Sequence, residues 1–203
     1  MSPGGRRAGD SGTRTAVLEA AKRAFGAQGY GATSVRAVAR EAGVDPSLVL
    51  HFFGSKDGLF EAALEMPVDP SALVPGLLAS GPVDELGERV VRTFVDVWDA
   101  TPGQGPMLAM LRSSVAHTDS AERLRGLLLR VVFRPLARGA GAADDEADRR
   151  AALVASQMLG LAFARYVLHL EPLASATADE LVPLVAPTLQ RYLTGELAAT
   201  PVR

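Results

Sequence analysis

Residues Ser34–Phe60, SVRAVAREAGVDPSLVLHFFGSKDGLF, decide how this chain is read. Val35, Val38, Ala39 and Ala42 recur at helical spacing and make one apolar face, which Thr33 or Ser34 can cap. Gly43 supplies a turn. Asp45 then suits the N-cap of a second helix and Pro46 its first position, where a missing N–H costs nothing. In that second helix Val49, Phe52 and Phe53 fall together and leave Pro46, Ser47, Leu50 and His51 on the other side. The helix is too short to stand alone. Held by a Gly turn, with small residues at its tip, it is what a helix-turn-helix needs to enter a major groove. Next, Gly54-Ser55-Lys56 places a capping serine before a helix with a lysine in its first turn, a site suited to one backbone phosphate. Gly turns and capped starts occur in any helical protein, so on these features alone DNA binding and a plain helical core both remain open.

Charge is distributed in a way that bears on the choice. The 203 residues carry a net charge of −2, yet residues 1–56 hold eight Lys/Arg against four Asp/Glu, so the basic end and the acidic body are separate. That is the footprint of a protein meeting phosphates with one end. Cysteine is absent, which removes disulfides and thiolate metal sites and agrees with a reducing, cytoplasmic setting. No apolar run approaches the roughly 18 residues of a membrane span, and the N-terminus lacks the apolar stretch of a signal peptide. No His/Asp/Glu pattern has metal-ligand spacing and no phosphate-cradling Gly-rich loop follows a strand, so neither a metal nor a cofactor is expected.

Helical periodicity runs through the chain and alternating β-branched runs are missing, which predicts an all-α fold. Residues 1–12 read as a flexible Gly-rich arm. A helix over Thr13–Gln28, stopped by Gly29, opens a DNA-binding module at 13–66, with the helix-turn-helix at about 34–53. The stretch MPVDPSALVPGLLASGP joins it to a helical module at 67–203 and has room for one short helix. Helices are expected there at Asp84–Ala100, Pro106–Ala116, Ser120–Leu136, Glu146–Leu170 and Ala178–Leu193. The last begins with the Thr177/Glu180 capping box but carries Pro183 and Pro187, which predict a kink or break. ARGAGAADDEADRR reads as an exposed loop.

The run TSVRAVAREAGVDPSLVLHFFGSKDGLF, preceded by AVLEAAKRAFGAQGYGA, resembles the DNA-binding domain of the TetR family of transcriptional regulators over about residues 12–66. The patterns AAxxxFxxxGYxxTS, VAxxAGV and FxSKxxL occur together and in order. Downstream, SQMLGLAFARYVLHLEPLAS and LVPLVAPTLQRYLTG resemble the variable ligand and dimer domain of such regulators. The resemblance implies a homodimer that uses its last two long helices, with Ala155, Leu159, Ala162, Leu184, Val185, Leu189 and Tyr192 at the interface. It also implies a pocket among the central helices and repression of an operator relieved by a small molecule. Two departures stand out. Leu50 occupies a position where the family usually has an aromatic hydroxyl, and Asp45 one where it often has serine.

The candidate DNA contacts are Thr33, Ser34, Arg36, Pro46, Ser47, Leu50, His51 and Lys56, with Leu50 suited to a thymine methyl and His51 to a phosphate or base edge. Leu59, Phe60 and Leu64 are candidate couplers. For an apolar effector the candidates are Phe94, Trp98, Met107, Met110, Leu111, Phe133, Met158, Phe163 and Tyr166, with Arg112, His117 and Gln157 as polar anchors. An enzyme would have to use His51, His117 or His169. His117 lies near Ser113, Ser114 and Asp119 in sequence but with no nucleophile elbow or oxyanion loop, so no enzyme is expected. The rival readings are an activator, a ligand-independent architectural protein, and a small-molecule-binding helical protein whose DNA module is non-functional.

Overall fold

The computed structural model describes residues 6–64, 68–100 and 105–197, excepting the side chains of 6–10, 70, 105 and 107. Every regular element among the described residues is helical, as the periodicity requires. The helices are α1 (Arg6–Ala32), α2 (Val35–Ala42), α3 (Pro46–Phe53), α4 (Lys56–Leu64), α5 (Pro70–Ala79), α6 (Leu86–Asp99), α7 (Gly105–Ala116), α8 (Thr118–Leu128), α9 (Arg134–Gly139), α10 (Asp144–Ala162) and α11 (Ala178–Thr194). A 3-10 turn at Val83–Glu85 leads into α6, and π-helical turns at Leu129–Phe133 and Phe163–Val167 follow α8 and α10. None of these helices is long and apolar enough to cross a membrane.

The chain divides into two units, Met1–Glu65 with Gly105–Leu124, and Met66–Gln104 with Arg125–Arg203. A cut at 66/67 is therefore incomplete, because α7 returns to the first unit. It does so for packing reasons: Leu108, Met110 and Leu111 are buried, Ala109 lies against Gly26, and the buried Ser113 hydroxyl donates to the Phe25 carbonyl of α1. Around α1 the core gathers Val17, Ala20, Ala21 and Phe25 with Val38, Val49, Leu59, Phe60 and Leu64. Phe25 and Phe60 meet edge to face at 5.1 Å. Each such Val, Leu or Phe is stabilised by about 1.5–3 kcal/mol on burial.

Helix α1 departs from expectation at its start and bends where the glycine stop was expected. Arg6–Gly12, read as part of a flexible arm, are helical; Arg6, Arg7 and Ala8 are good helix formers, and the Thr15 hydroxyl donates to the Ser11 carbonyl. Residues 1–5 of that arm lie outside the described residues. Gly29, the expected stop, interrupts the helix with φ 75° and ψ 176°, and the chain resumes helical form to Ala32.

In the second unit α6 and α11 run in close contact: a Cβ on Gly87 would lie 2.6 Å from the Ala186 carbonyl oxygen. The Gly87 N–H donates to Gln190 Oε1 at 2.7 Å. The expected break in α11 does not occur; Pro183 and Pro187 sit inside one helix from Ala178 to Thr194. Each interior proline costs about 3 kcal/mol. The capping box forms as read, and burial of Leu181, Val182, Leu189 and Leu193 at about 1.5–3 kcal/mol each outweighs the two lost bonds. Arg150, buried, donates to the Tyr192 and Gly195 carbonyls and so closes the end of α11. The stretch read as an exposed loop, ARGAGAADDEADRR, is mostly helical. Asp144, Asp145 and Glu146 fall in the first turn of α10, where the helix dipole favours them, and Arg138 pairs with Asp144 at 2.9 Å.

Gly29 has a backbone conformation essentially reserved for glycine, and a Cβ there would lie 2.7 Å from His117 Cγ. Gly29→Ala is expected to destabilise the chain by about 1–3 kcal/mol. Gly12→Ala, a helical site with open space, is expected to raise stability by about 0.5–1 kcal/mol. Denaturant unfolding of both variants checks the pair, and equal effects would remove the constraint at Gly29.

Candidate nucleic-acid interface

The two-helix unit is built from its caps. Ser34 precedes α2 in extended conformation and accepts from the Ala37 N–H at 3.1 Å, so Ser34 rather than Thr33 is the cap. Helix α2 ends on Gly43 at φ 69°, with the Val44 N–H donating back to Ala39 at 2.9 Å. Asp45 caps α3 by accepting from both the Ser47 N–H and the Ser47 hydroxyl, and Pro46 follows at the first helical position. The inner face of α3 is Val49, fully buried, with Phe52 and Phe53 half-buried.

The other face is open. Ser47, Leu50 and His51 are exposed and Pro46 is half-exposed, with Leu50 at 46%. Arg36 and Ser34 are exposed on α2. Thr33 is not part of this face: it is 1% exposed and its hydroxyl donates to the Gly29 carbonyl at 2.8 Å. Its side chain serves the turn after Gly29, and nothing in its sequence position distinguished that from a surface hydroxyl.

At α4 the Ser55 hydroxyl accepts from the Gly58 N–H at 3.0 Å, the cap expected, and Lys56 opens the helix. A Cβ on Gly58 would lie 2.2 Å from the Phe53 carbonyl oxygen, so only glycine lets this turn close. Leu59, Phe60 and Leu64 are buried beneath it. The Lys56 ammonium lies 4.1 Å from the centre of the Tyr30 ring. Burial, and then the neighbouring Arg123 charge, hold its pKa below the ordinary lysine value. Tyr30 donates its hydroxyl to Asp57, and its own pKa is pushed up to about 12, first by burial and then by that bond. Sequence reading missed Tyr30, Asp57 and Arg123 as companions of Lys56. Tyr30 stood in the quoted GY pattern, but Arg123 is more than sixty residues downstream and carries no local signal. Also missed was Arg14, whose guanidinium lies 5.0 Å from the Phe53 ring.

The residues expected to line one effector pocket are divided between the two units. Met110, Leu111, Arg112 and His117 belong to the first, on and just after α7; Met110 and Leu111 are core, and His117 lies against Gly29. The Met107 side chain lies outside the described residues. Phe94, Trp98, Phe133, Gln157, Met158, Phe163 and Tyr166 belong to the second unit. There Trp98 stacks on Tyr166 at 5.1 Å, and Phe94 meets Trp98 at 5.5 Å. Tyr166 donates its hydroxyl to Asp99 at 2.8 Å, and burial followed by this bond raises its pKa. Arg165, buried, donates to the other Asp99 oxygen and to the Leu173 and Ala176 carbonyls. Burial is the largest single influence and acts against its charge, but the Asp99 and Tyr166 interactions together prevail and its pKa is raised.

Of the expected interface residues, Leu184 is 73% exposed and Leu159, Val185 and Tyr192 are half-exposed. Ala155, Ala162 and Leu189 are buried within the chain's own second unit, so they are core rather than surface. One apolar stripe served both possibilities in the sequence, and the packing around α11 and α10 chose for these three.

A capped, Gly-turned helix pair with an exposed second helix and a cation at the next helix start has the form of a helix-turn-helix. Residues 17–63 match the family described as bacterial regulatory proteins, tetR family, and residues 84–193 match the tetracyclin repressor-like C-terminal domain. The second match alone covers more than half the chain, and the chain belongs to the TetR family of transcriptional regulators, which are not enzymes. A TetR-family regulator from Streptomyces coelicolor A3 is 39% identical, with 94% of this chain and 99% of that one covered and a TM-score of 0.67. The HTH-type transcriptional regulatory protein RaaS of Mycobacterium tuberculosis is 29% identical over 201 residues, covering 95% of this chain and 90% of that one. NalD of Pseudomonas aeruginosa, the secondary repressor of the MexAB-OprM multidrug efflux pump, is 20% identical, covers 93% of this chain and 100% of its own, and shares the fold with a TM-score of 0.60.

The Asp45 cap sets a pH dependence with a definite sign. Its bonds from the Ser47 hydroxyl and then the Ser47 N–H hold the carboxyl below its ordinary value. A depressed carboxylate contributes stability that is full above the unfolded value of about 3.9 and is lost as pH falls through the lower folded value. The Ser47 amide resonance is expected to titrate with that depressed midpoint, and Asp45→Asn to abolish the titration. A Ser47 midpoint at or above the ordinary carboxylate value would contradict the cap.

Proposed function

We propose that this chain is a homodimeric repressor acting in the cytoplasm, whose two helix-turn-helix units enter successive major grooves of a near-palindromic operator. The observation that carries the reading is the open face of α3, Pro46, Ser47, Leu50 and His51, beside the α4 start with Ser55 and Lys56. On this reading Leu50 and His51 address base edges, Ser34 and Arg36 on α2 meet phosphates, and Lys56 clamps the adjoining strand. The two reading helices stand about one helical turn, roughly 34–36 Å, apart. Lys56→Ala should weaken binding to all duplexes about equally and lower the salt slope by about one. Mobility shift with the chain's own upstream DNA, repeated over a salt series, tests this; an unchanged slope takes Lys56 out of the site.

The dimer is assigned to α10 and α11. Leu184 is a large apolar side chain left 73% exposed, and α10 leaves Ala152, Ser156 and Gly160 exposed at intervals of four, with open space over Gly160. Small residues at that spacing permit close approach of a partner helix. Leu184→Glu is expected to yield monomers with much reduced operator affinity. Sedimentation of unaltered mass would move the interface elsewhere.

An apolar small molecule with one or two polar handles is the proposed effector, supported by the aromatic run Phe94, Trp98 and Tyr166 in the second unit. It would release DNA only through unequal affinity for the free and bound forms.

A further inference from the structure

Lys56 is held, not merely placed at a helix start. Its ammonium lies 4.1 Å from the Tyr30 ring centre, and the Arg123 guanidinium of α8 lies 4.7 Å from the same centre. Two cations on one ring repel unless a nearby anion offsets their charge. Asp57 is that anion: it accepts the Tyr30 hydroxyl and pairs with Arg123 at 3.2 Å, both side chains half-exposed. Asp119, close enough for its charge to favour the Lys56 ammonium, supplies a second negative charge. The ring they share cannot drift. It stacks on Phe25 at 6.0 Å, meets Phe60 edge to face at 5.3 Å, and its backbone N–H donates to the Ser120 hydroxyl at 2.7 Å.

From this geometry we infer that Tyr30, Asp57 and Arg123 are positioning residues for DNA binding: they hold the Lys56 ammonium ready for a backbone phosphate. The inference rests on the reading of Lys56 as a phosphate contact. A free lysine must give up much rotamer freedom on meeting a phosphate, and a cation lodged on a fixed aromatic face has already given up part of it. Arg123 has the second task of occupying Asp57. Without it, Asp57 is free to pair with its sequence neighbour Lys56 and cancel the charge that a phosphate requires. An ion pair this exposed adds little to folding, so replacing Arg123 alters position rather than stability.

The test uses the full chain, a mixed-sequence DNA duplex, and the variants Lys56→Ala, Arg123→Gln, Arg123→Lys and the double Lys56→Ala/Arg123→Gln. In the free protein the Lys56 side-chain methylene resonances should be shifted upfield by the Tyr30 ring current, and Arg123→Gln should move them. Arg123→Gln should weaken duplex binding about three- to tenfold, in the range of such cation contacts. The double variant should bind no more weakly than Lys56→Ala alone, and Arg123→Lys should restore most of the loss. Additive losses would make Arg123 a phosphate contact in its own right and overturn the inference, as would Lys56 resonances indifferent to Arg123. If Lys56→Ala lowers the salt slope and Arg123→Gln does nothing, the positioning role alone falls. If Lys56→Ala itself leaves the slope unchanged, the phosphate reading falls and takes this role with it.

Discussion

The bend at Gly29 governs the first unit. Its φ of 75° and ψ of 176° turn the chain out of α1 in a conformation that a Cβ forbids, and three groups fasten the turn. Thr33 donates its hydroxyl to the Gly29 carbonyl, Ser120 accepts from the next N–H, and His117 fills the space where a side chain would stand. The entry to α2 and the first turn of α8 are thereby fixed to one point at the end of α1. Because Tyr30 is the next residue, the same point also orients the ring that carries the Lys56 ammonium. The Thr33 hydroxyl is used inside this turn.

The second unit solves a different problem. Loops and helix ends there are held by buried arginines, whose burial is costly unless the charge is paired and its donors are used. Arg150 bonds Glu146 and two carbonyls at the end of α11. Arg165 gathers Asp99 and the carbonyls of Leu173 and Ala176, with its Nε left without a hydrogen-bond partner. Beside it Tyr166 stacks on Trp98, so one polar knot and one aromatic stack share a wall. This arrangement makes Tyr166 part of the core and a neighbour of charge.

Through the helix-turn-helix, where the physics is local, the local signals agree with the structure. The Ser34, Asp45 and Ser55 caps, the Gly43 turn, and the division of α3 into buried Val49 and exposed Ser47, Leu50 and His51 all depend on residues within one or two turns of each other. Thr33 was read as a surface hydroxyl because its partner choice depends on how α1 ends. Pro183 and Pro187 predict a kink or break, and no break occurs; the α6–α11 contact that holds the helix is not written near them. Ala155, Ala162 and Leu189 were read as interface because an apolar stripe does not say which neighbour covers it.

By itself the sequence determined an all-α chain with a helix-turn-helix near its start, since capping, turn chemistry and 3.6-residue periodicity act over a few residues and leave their mark in order. Only the tertiary structure decided that α7 belongs with α1, that Arg123 stands beside Lys56 and Asp57, and that Leu184 stays exposed while Leu189 is buried. Those outcomes depend on which distant surfaces meet. Burial and charge pairing act across space without a fixed spacing, so no local pattern in the chain announces them.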